Sequence, residues 1–166
     1  MKKNYRTLAY IGLGSNLQDP SSQIAIALRE LALVPESDLE QHSGLYLSRP
    51  MGPPDQPVYV NAVASIKTNL EPEELLNQLQ SIENQHGRER LGEHWGPRTL
   101  DLDILSYGNK KINSARLTIP HPGVRLREFV LYPLQEIDKN LIIAGVGRVD
   151  RLSQKCYANG LVLLED

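Results

Sequence analysis

An apolar run from Leu100 to Leu105 is interrupted at alternate positions by two carboxylates, Asp101 and Asp103. In an extended strand successive side chains point to opposite faces, so Leu100, Leu102 and Ile104 take one face and both aspartates the other. The run therefore demands a sheet with one face in a core and the other able to carry charge. It also sets the two aspartate Cα atoms only ~6.6 Å apart. Adjacent carboxylates repel, and one has its pKa raised unless a cation lies between them.

The clearest strand is Tyr59 to Ile66. Val60, Ala62, Ala64 and Ile66 suit a core, whereas Tyr59, Asn61, Val63 and Ser65 are mixed and partly polar. Leu8 to Leu13 reads as a buried strand ending in glycine, and Gln41 to Leu47 as a weaker one. Two helices fall between these strands. Asp19 is placed as an N-cap before Pro20, with Ile24, Ala27, Leu28 and Leu31 at helical spacing and Pro35 as the stop. The second helix starts at Pro72, has Glu73 and Glu74 in its dipole-favoured first turn, and ends at Gly87. Its apolar face is Leu75, Leu76, Leu79 and Ile82.

The order β-α-β-β-α-β predicts an α+β fold, a ferredoxin-like core whose antiparallel sheet has both helices on one face. Tyr59 and Asn61 then share the opposite face with Asp101 and Asp103, and an active site is expected there. The proline-rich segment 48–57 and the basic, glycine-containing segment 88–97 read as long loops able to fold over it. A third helical pattern spans Leu131 to Ile137 before a less readable tail, taken as a C-terminal addition. Residues 1–166 are expected to form a single domain.

A net charge of -2 gives no global basic field for nucleic acid or an anionic membrane. The one cysteine, Cys156, excludes an intrachain disulfide or a cysteine metal cluster and fits a reducing compartment. No signal peptide or membrane-length apolar stretch is evident. The expectation is a cytoplasmic monomer that acts on small molecules, with no nucleic-acid or membrane partner.

Isolated, an Asp-x-Asp pair is most simply a solvated strand face. Here Arg88, Arg90 and Arg98 lie close by in sequence, and arginine suits phosphate oxygens. Magnesium takes one or two carboxylates, waters and substrate phosphates, so the combination suggests phosphoryl-type transfer. Gly12-Leu13-Gly14-Ser15-Asn16-Leu17 starts like a dinucleotide fingerprint but fails at Leu17, and is read as a tight strand-to-helix turn. No P-loop occurs, and His42, His86, His94 and His121 lack zinc-like spacing. Tyr59 and Phe129 could be ordinary surface and core residues, or could flank a planar ring.

The segments GLGSNL, PMGPPDQPVYVNAV, WGPRTLDLDIL and IPHPGVRLREFVLYPLQEI together resemble the 6-hydroxymethyl-7,8-dihydropterin pyrophosphokinase family of folate biosynthesis. The resemblance covers roughly residues 8–137. It implies transfer of diphosphate from ATP to the pterin hydroxymethyl group, with AMP released. It implies that Asp101 and Asp103 hold two magnesium ions, and that Arg88 and Arg98 assist the transfer. The pterin is implied to lie between Tyr59 and Phe129, with Asn61 on its hydrogen-bonding edge and Ser48 and Met51 completing the pocket. The ATP side is implied to involve Gln80, Glu83, Arg90, Trp95, Ile104, Arg116, Thr118, His121 and Arg127. Two positions depart from the pattern: His94, where a stronger base is common, and Arg49, where proline or a small polar residue is common. Two other classes are weighed against the enzyme. A non-catalytic ferredoxin-like ligand-binding module predicts a bland sheet face, and a nucleic-acid module predicts basic strands.

Overall fold

The computed structural model describes residues 7–49, 57–87 and 99–164. In chain order its elements are β1 (Thr7–Ser15), α1 (Pro20–Leu31), β2 (Ser37–His42), β3 (Leu45–Ser48), β4 (Tyr59–Thr68), α2 (Pro72–Gln85) and β5 (Asp101–Tyr107). They continue with β6 (Ile112–Asn113), β7 (Thr118–Ile119), a 3₁₀ turn (Val124–Leu126) and α3 (Glu128–Asp138). The chain then forms β8 (Ile142–Ile143), β9 (Gly147–Arg148), α4 (Val149–Gln154) and β10 (Val162–Leu164). The main sheet is antiparallel in the order β10-β3-β4-β1-β5, with β2 also paired to β4. This is the expected ferredoxin-like core. Among the described residues no helix is long and apolar enough to cross a membrane.

Alternation decides which face each strand buries. Val60, Ala62, Ala64 and Ile66 of β4 pack with Ala9, Ile11 and Leu13 of β1 against α1 and α2. The helices supply Ile24, Ala27 and Leu31, and Leu75, Leu79 and Ile82. Each fully buried leucine contributes about 1.5–3 kcal/mol relative to exposure. At the start of α2 a capping box forms, Glu71 and Glu74 each accepting from the other's main chain. The start of α1 differs from expectation. Asp19 is left-handed and makes no side-chain cap; instead the Ser22 hydroxyl donates to its Oδ2 at 2.8 Å.

The stretch expected as one strand, Gln41 to Leu47, is two. Both β2 and β3 pair with β4, and the break falls at Ser43 and Gly44. There the Ser43 N–H donates to the Val63 carbonyl at 2.8 Å, and the Val63 N–H donates to Ser43 Oγ at 2.9 Å. The serine hydroxyl takes the place of a ladder carbonyl, so the sheet bends without leaving a buried N–H unpaired.

The opposite face is only partly open. Tyr10, Val63 and Leu105 of the sheet form a second core with Val130 and Leu134 of α3 and Val149 of α4. Tyr10 donates its hydroxyl to Asp138 Oδ2 at 2.9 Å, and Tyr46 to Glu136 Oε1 at 2.5 Å, pinning α3 to the sheet. Burial and the accepting carboxylates push both phenols upward. Helix α3 and the start of α4 therefore cover part of this face. What remains is the end where β1 and β3 finish and β4 and β5 begin.

Candidate active site

Register brings the sequence-selected residues together at that end. Asn61 of β4 is paired with Gly14 of β1, and Gly14 with Asp101 of β5. In the next row Val63 is paired with Gly12, and Gly12 with Asp103. Directly paired residues share a face, so an amide and two carboxylates flank a strip of glycine. With strands ~4.8 Å apart, Asn61 and Asp101 are separated by ~10 Å of floor. Asp101 is half-buried and Asp103 exposed.

The two glycines of this floor are residues that sequence reasoning did not select. Both lie inside β1 and not in a turn. A Cβ built at Gly14 meets Asn61 Oδ1 at 3.2 Å and Tyr59 Cδ1 at 3.9 Å, and one at Gly12 meets Leu105 Cδ2 at 3.3 Å. The signal available was the pairing of two alternate glycines in one strand with two alternate aspartates in another. Alternate glycines remove side chains from a single face.

Ser48 sits beside this floor, paired with Tyr59 across β3 and β4. Its Oγ accepts from Asn61 Nδ2 at 2.6 Å. That bond directs the amide oxygen of Asn61 toward the Gly14 strip.

A second group comes from the segment after β5. The Ile119–Pro120 peptide is cis, and the His121 N–H donates to the Leu105 carbonyl at 3.0 Å, seating the turn against β5. The Gly123 N–H donates to His121 Nδ1 at 3.0 Å, which makes Nε2 the donor of the neutral ring. Burial, reinforced by the Arg127 guanidinium, lowers the His121 pKa from 6.5 to about 4. Arg127 itself lies over the Phe129 ring, 5.7 Å from its centroid.

The neutral histidine has a consequence for stability. Between about pH 4 and 6.5 the unfolded chain binds a proton at His121 that the folded chain does not. Stability should fall as pH is lowered through that window. His121→Gln should flatten this part of the curve in denaturant titrations; an unaltered slope would contradict the assignment.

A third group joins α2 to the β6–β7 hairpin. Arg116 Nη2 donates to Asn77 Oδ1 at 2.6 Å and reaches Gln80 Oε1 at 3.5 Å. Asn77 was not selected from sequence. Thr118 is exposed on β7. Glu83 and Ile104 point inward, each 3% exposed, Glu83 toward β5 and Ile104 into the core. Met51, Arg88, Arg90, His94, Trp95 and Arg98 lie outside the described residues. Arg49 lies against the C-terminal turn, its Nε 3.3 Å from a Cβ built at Gly160.

Comparison with known proteins places the chain in a family. Residues 10–139 match the family model described as 7,8-dihydro-6-hydroxymethylpterin-pyrophosphokinase. The chain is 53% identical over 135 residues to 2-amino-4-hydroxy-6-hydroxymethyldihydropteridine pyrophosphokinase of Haemophilus influenzae, covering 81% of this chain and 84% of that protein. The enzyme of the same name from Pseudomonas aeruginosa is 45% identical over 152 residues, covering 92% and 93%. In fold, the chain is similar to the crystal structure of HPPK-DHPS in complex with substrates, with a TM-score of 0.72 at 12% identity. That likeness covers 92% of this chain but only 43% of the solved one, so the chain spans under half of its length.

Proposed function

The chain belongs to the 7,8-dihydro-6-hydroxymethylpterin-pyrophosphokinase family, and from that premise we propose that it transfers diphosphate from ATP to 6-hydroxymethyl-7,8-dihydropterin in folate biosynthesis. The observation that carries the reading is the pair of neighbouring rows Asn61–Gly14–Asp101 and Val63–Gly12–Asp103, which puts an oriented amide and a carboxylate pair on one open end of the sheet. A non-catalytic module gives no reason for that pairing.

The aspartates suit magnesium held jointly with a nucleotide. Among the described residues no group of three or more His, Cys, Asp or Glu gathers to cage a metal. Two carboxylates leave the remaining positions to water and phosphate, the ligand set magnesium prefers. Asp101 and Asp103 would hold two such ions, and when bound these would offset charge on the phosphate oxygens. Tyr59 and Phe129 flank the pterin, and Asn61, oriented by Ser48, reads its hydrogen-bonding edge. Gln80, Glu83, Arg116, Thr118, His121 and Arg127 take the nucleotide, and Ile104, its side chain buried, contributes main chain only. Met51 is assigned to the pterin side, Arg90 and Trp95 to ATP, and Arg88 and Arg98 to the transfer.

In the reaction the pterin hydroxyl oxygen bonds to the β-phosphorus of ATP, the α,β-bridging bond breaks, and AMP leaves. A loose transition state needs little deprotonation of that hydroxyl, so placement and charge neutralisation supply most of the acceleration. The neutral His121 suits this, donating from Nε2 without adding a charge that varies near neutrality. The chain is read as one cytoplasmic, monomeric domain.

The test is direct: protein, magnesium, ATP and hydroxymethyl-dihydropterin should yield AMP in proportion to pterin consumed. Folded protein that releases no AMP with this pterin would overturn the reading. Gly123 provides a milder probe. A Cβ there would lie 2.5 Å from Arg127 Nε and 2.8 Å from its Cζ. The flexible guanidinium must move, so Gly123→Ala should weaken nucleotide binding roughly tenfold, the scale of one charged hydrogen bond, with little change in melting temperature. Calorimetric titration with an ATP analogue checks it.

A further inference from the structure

Strand β5 ends the sheet among the described residues, paired only with β1. The outer edge of such a strand presents main-chain groups that need partners. At Leu102, the residue between the two aspartates, the N–H donates to Glu83 Oε2 at 2.8 Å. Glu83 comes from α2, two turns below the Leu75 contact, and both Glu83 and Leu102 are 3% exposed. Three residues further on, the Leu105 carbonyl accepts from the His121 N–H at 3.0 Å. The outer edge is thus tied at two points, and the first lies inside the Asp101–Asp103 pair.

We infer that Glu83 is a positioning residue for Asp101 and Asp103, its buried carboxylate fixing the main chain between them. The inference rests on the reading of those aspartates as metal-holding. Two carboxylates at alternate strand positions share an ion only if the strand keeps its extension and tilt there. A carboxylate acceptor makes a stronger bond to an N–H than a neutral oxygen does, and it is placed where no strand partner is available. This action of Glu83 runs through β5 and is separate from the ATP-side role that the family resemblance implies for it. Loss of such an outer-shell partner weakens metal binding by about 10–100-fold.

The test uses the full chain, Mn²⁺ as the ion and α,β-methylene-ATP, read by water-proton relaxation. Glu83→Ala should raise the half-saturating Mn²⁺ concentration at least tenfold. Its affinity for α,β-methylene-ATP in EDTA, where the metal plays no part, should fall by a smaller factor. The Leu102 amide resonance should move upfield and exchange faster with solvent. Glu83→Gln, whose amide oxygen can still accept from Leu102, should lie between the two, and it carries the test if the alanine variant fails to fold. A wild-type Mn²⁺ titration in either folded variant with a disturbed Leu102 amide overturns the inference. So does a loss confined to metal-free analogue binding, which would leave Glu83 with a nucleotide role alone. If the wild-type protein takes up no Mn²⁺ with the analogue, the underlying reading of the aspartates fails and the inference falls with it.

Discussion

Asp103→Ala is expected to lower kcat by at least about three orders of magnitude while leaving the fold intact. The size follows from charge neutralisation at the transferring group, worth several kcal/mol, with each ~1.4 kcal/mol a factor of ten. Asp103 is exposed and faces the glycine at position 12, so its side chain fills no core space. Surface truncations of that kind stay within about 0.5 kcal/mol of the parent stability. Thermal shift separates the two effects. Magnesium with an ATP analogue should raise the melting temperature of the parent protein, by linkage to the folded state, and should raise that of the variant far less. Asp103→Asn should be equally inactive, because a neutral amide keeps the shape and loses the charge. Turnover retained by either variant would remove Asp103 from the metal site.

How much of this was readable from the chain differs by feature, and the differences have physical causes. The β4 alternation was legible because every core position, Val60 through Ile66, is apolar and every intervening position is tolerable at a second surface. The same parity placed Asn61 and Tyr59 with the aspartates, which the register confirms for Asn61 through Gly14. The second strand was read as continuous because period-two patterning cannot show a bulge. Each extra residue flips the parity, and the register against β4 slips by one residue between His42, paired with Ala64, and Tyr46, paired with Asn61. Gly12 and Gly14 were taken for a turn because glycine ordinarily punctuates structure. Their real reason lies in two neighbouring strands, and no local window contains it. The covering of part of the sheet face by α3 is of the same kind. Leu131 to Ile137 announces a helix, but only Val63, Leu105 and Tyr10 on distant strands decide where it lies. The tail resisted reading because its two-residue strands β8 and β9 pair only with each other and its three-residue strand β10 is held by the distant β3, lengths too short to show a pattern of their own.

Gly14→Val should uncouple stability from function more sharply than any change at a charged residue. A β-branched side chain in the interior of a strand is favoured over glycine in backbone entropy and strand propensity, so folding should be unharmed or slightly improved. The site should suffer. Already a Cβ at this position lies 3.2 Å from Asn61 Oδ1, and Asn61 cannot swing aside without giving up its 2.6 Å bond to Ser48. The valine methyls would extend further, over the strip that separates the proposed pterin seat from Asp101. Displacing one oriented amide from a ligand's hydrogen-bonding edge costs about 1–3 kcal/mol, and steric filling of the floor adds to it. The expected result is pterin binding weakened by roughly 100-fold with a melting temperature at or above the parent value, and Gly14→Ala in between. Nucleotide affinity should change little, because the ATP groups on α2, the β6–β7 hairpin and the turn before α3 do not contact Gly14. Fluorescence titration of pterin and calorimetry of the ATP analogue, run on the same preparation, measure the split. Parent-like pterin affinity in Gly14→Val would show that the glycine strip is not the floor of the pterin seat. An equal loss of both ligands would point to a distorted sheet and not to a filled site.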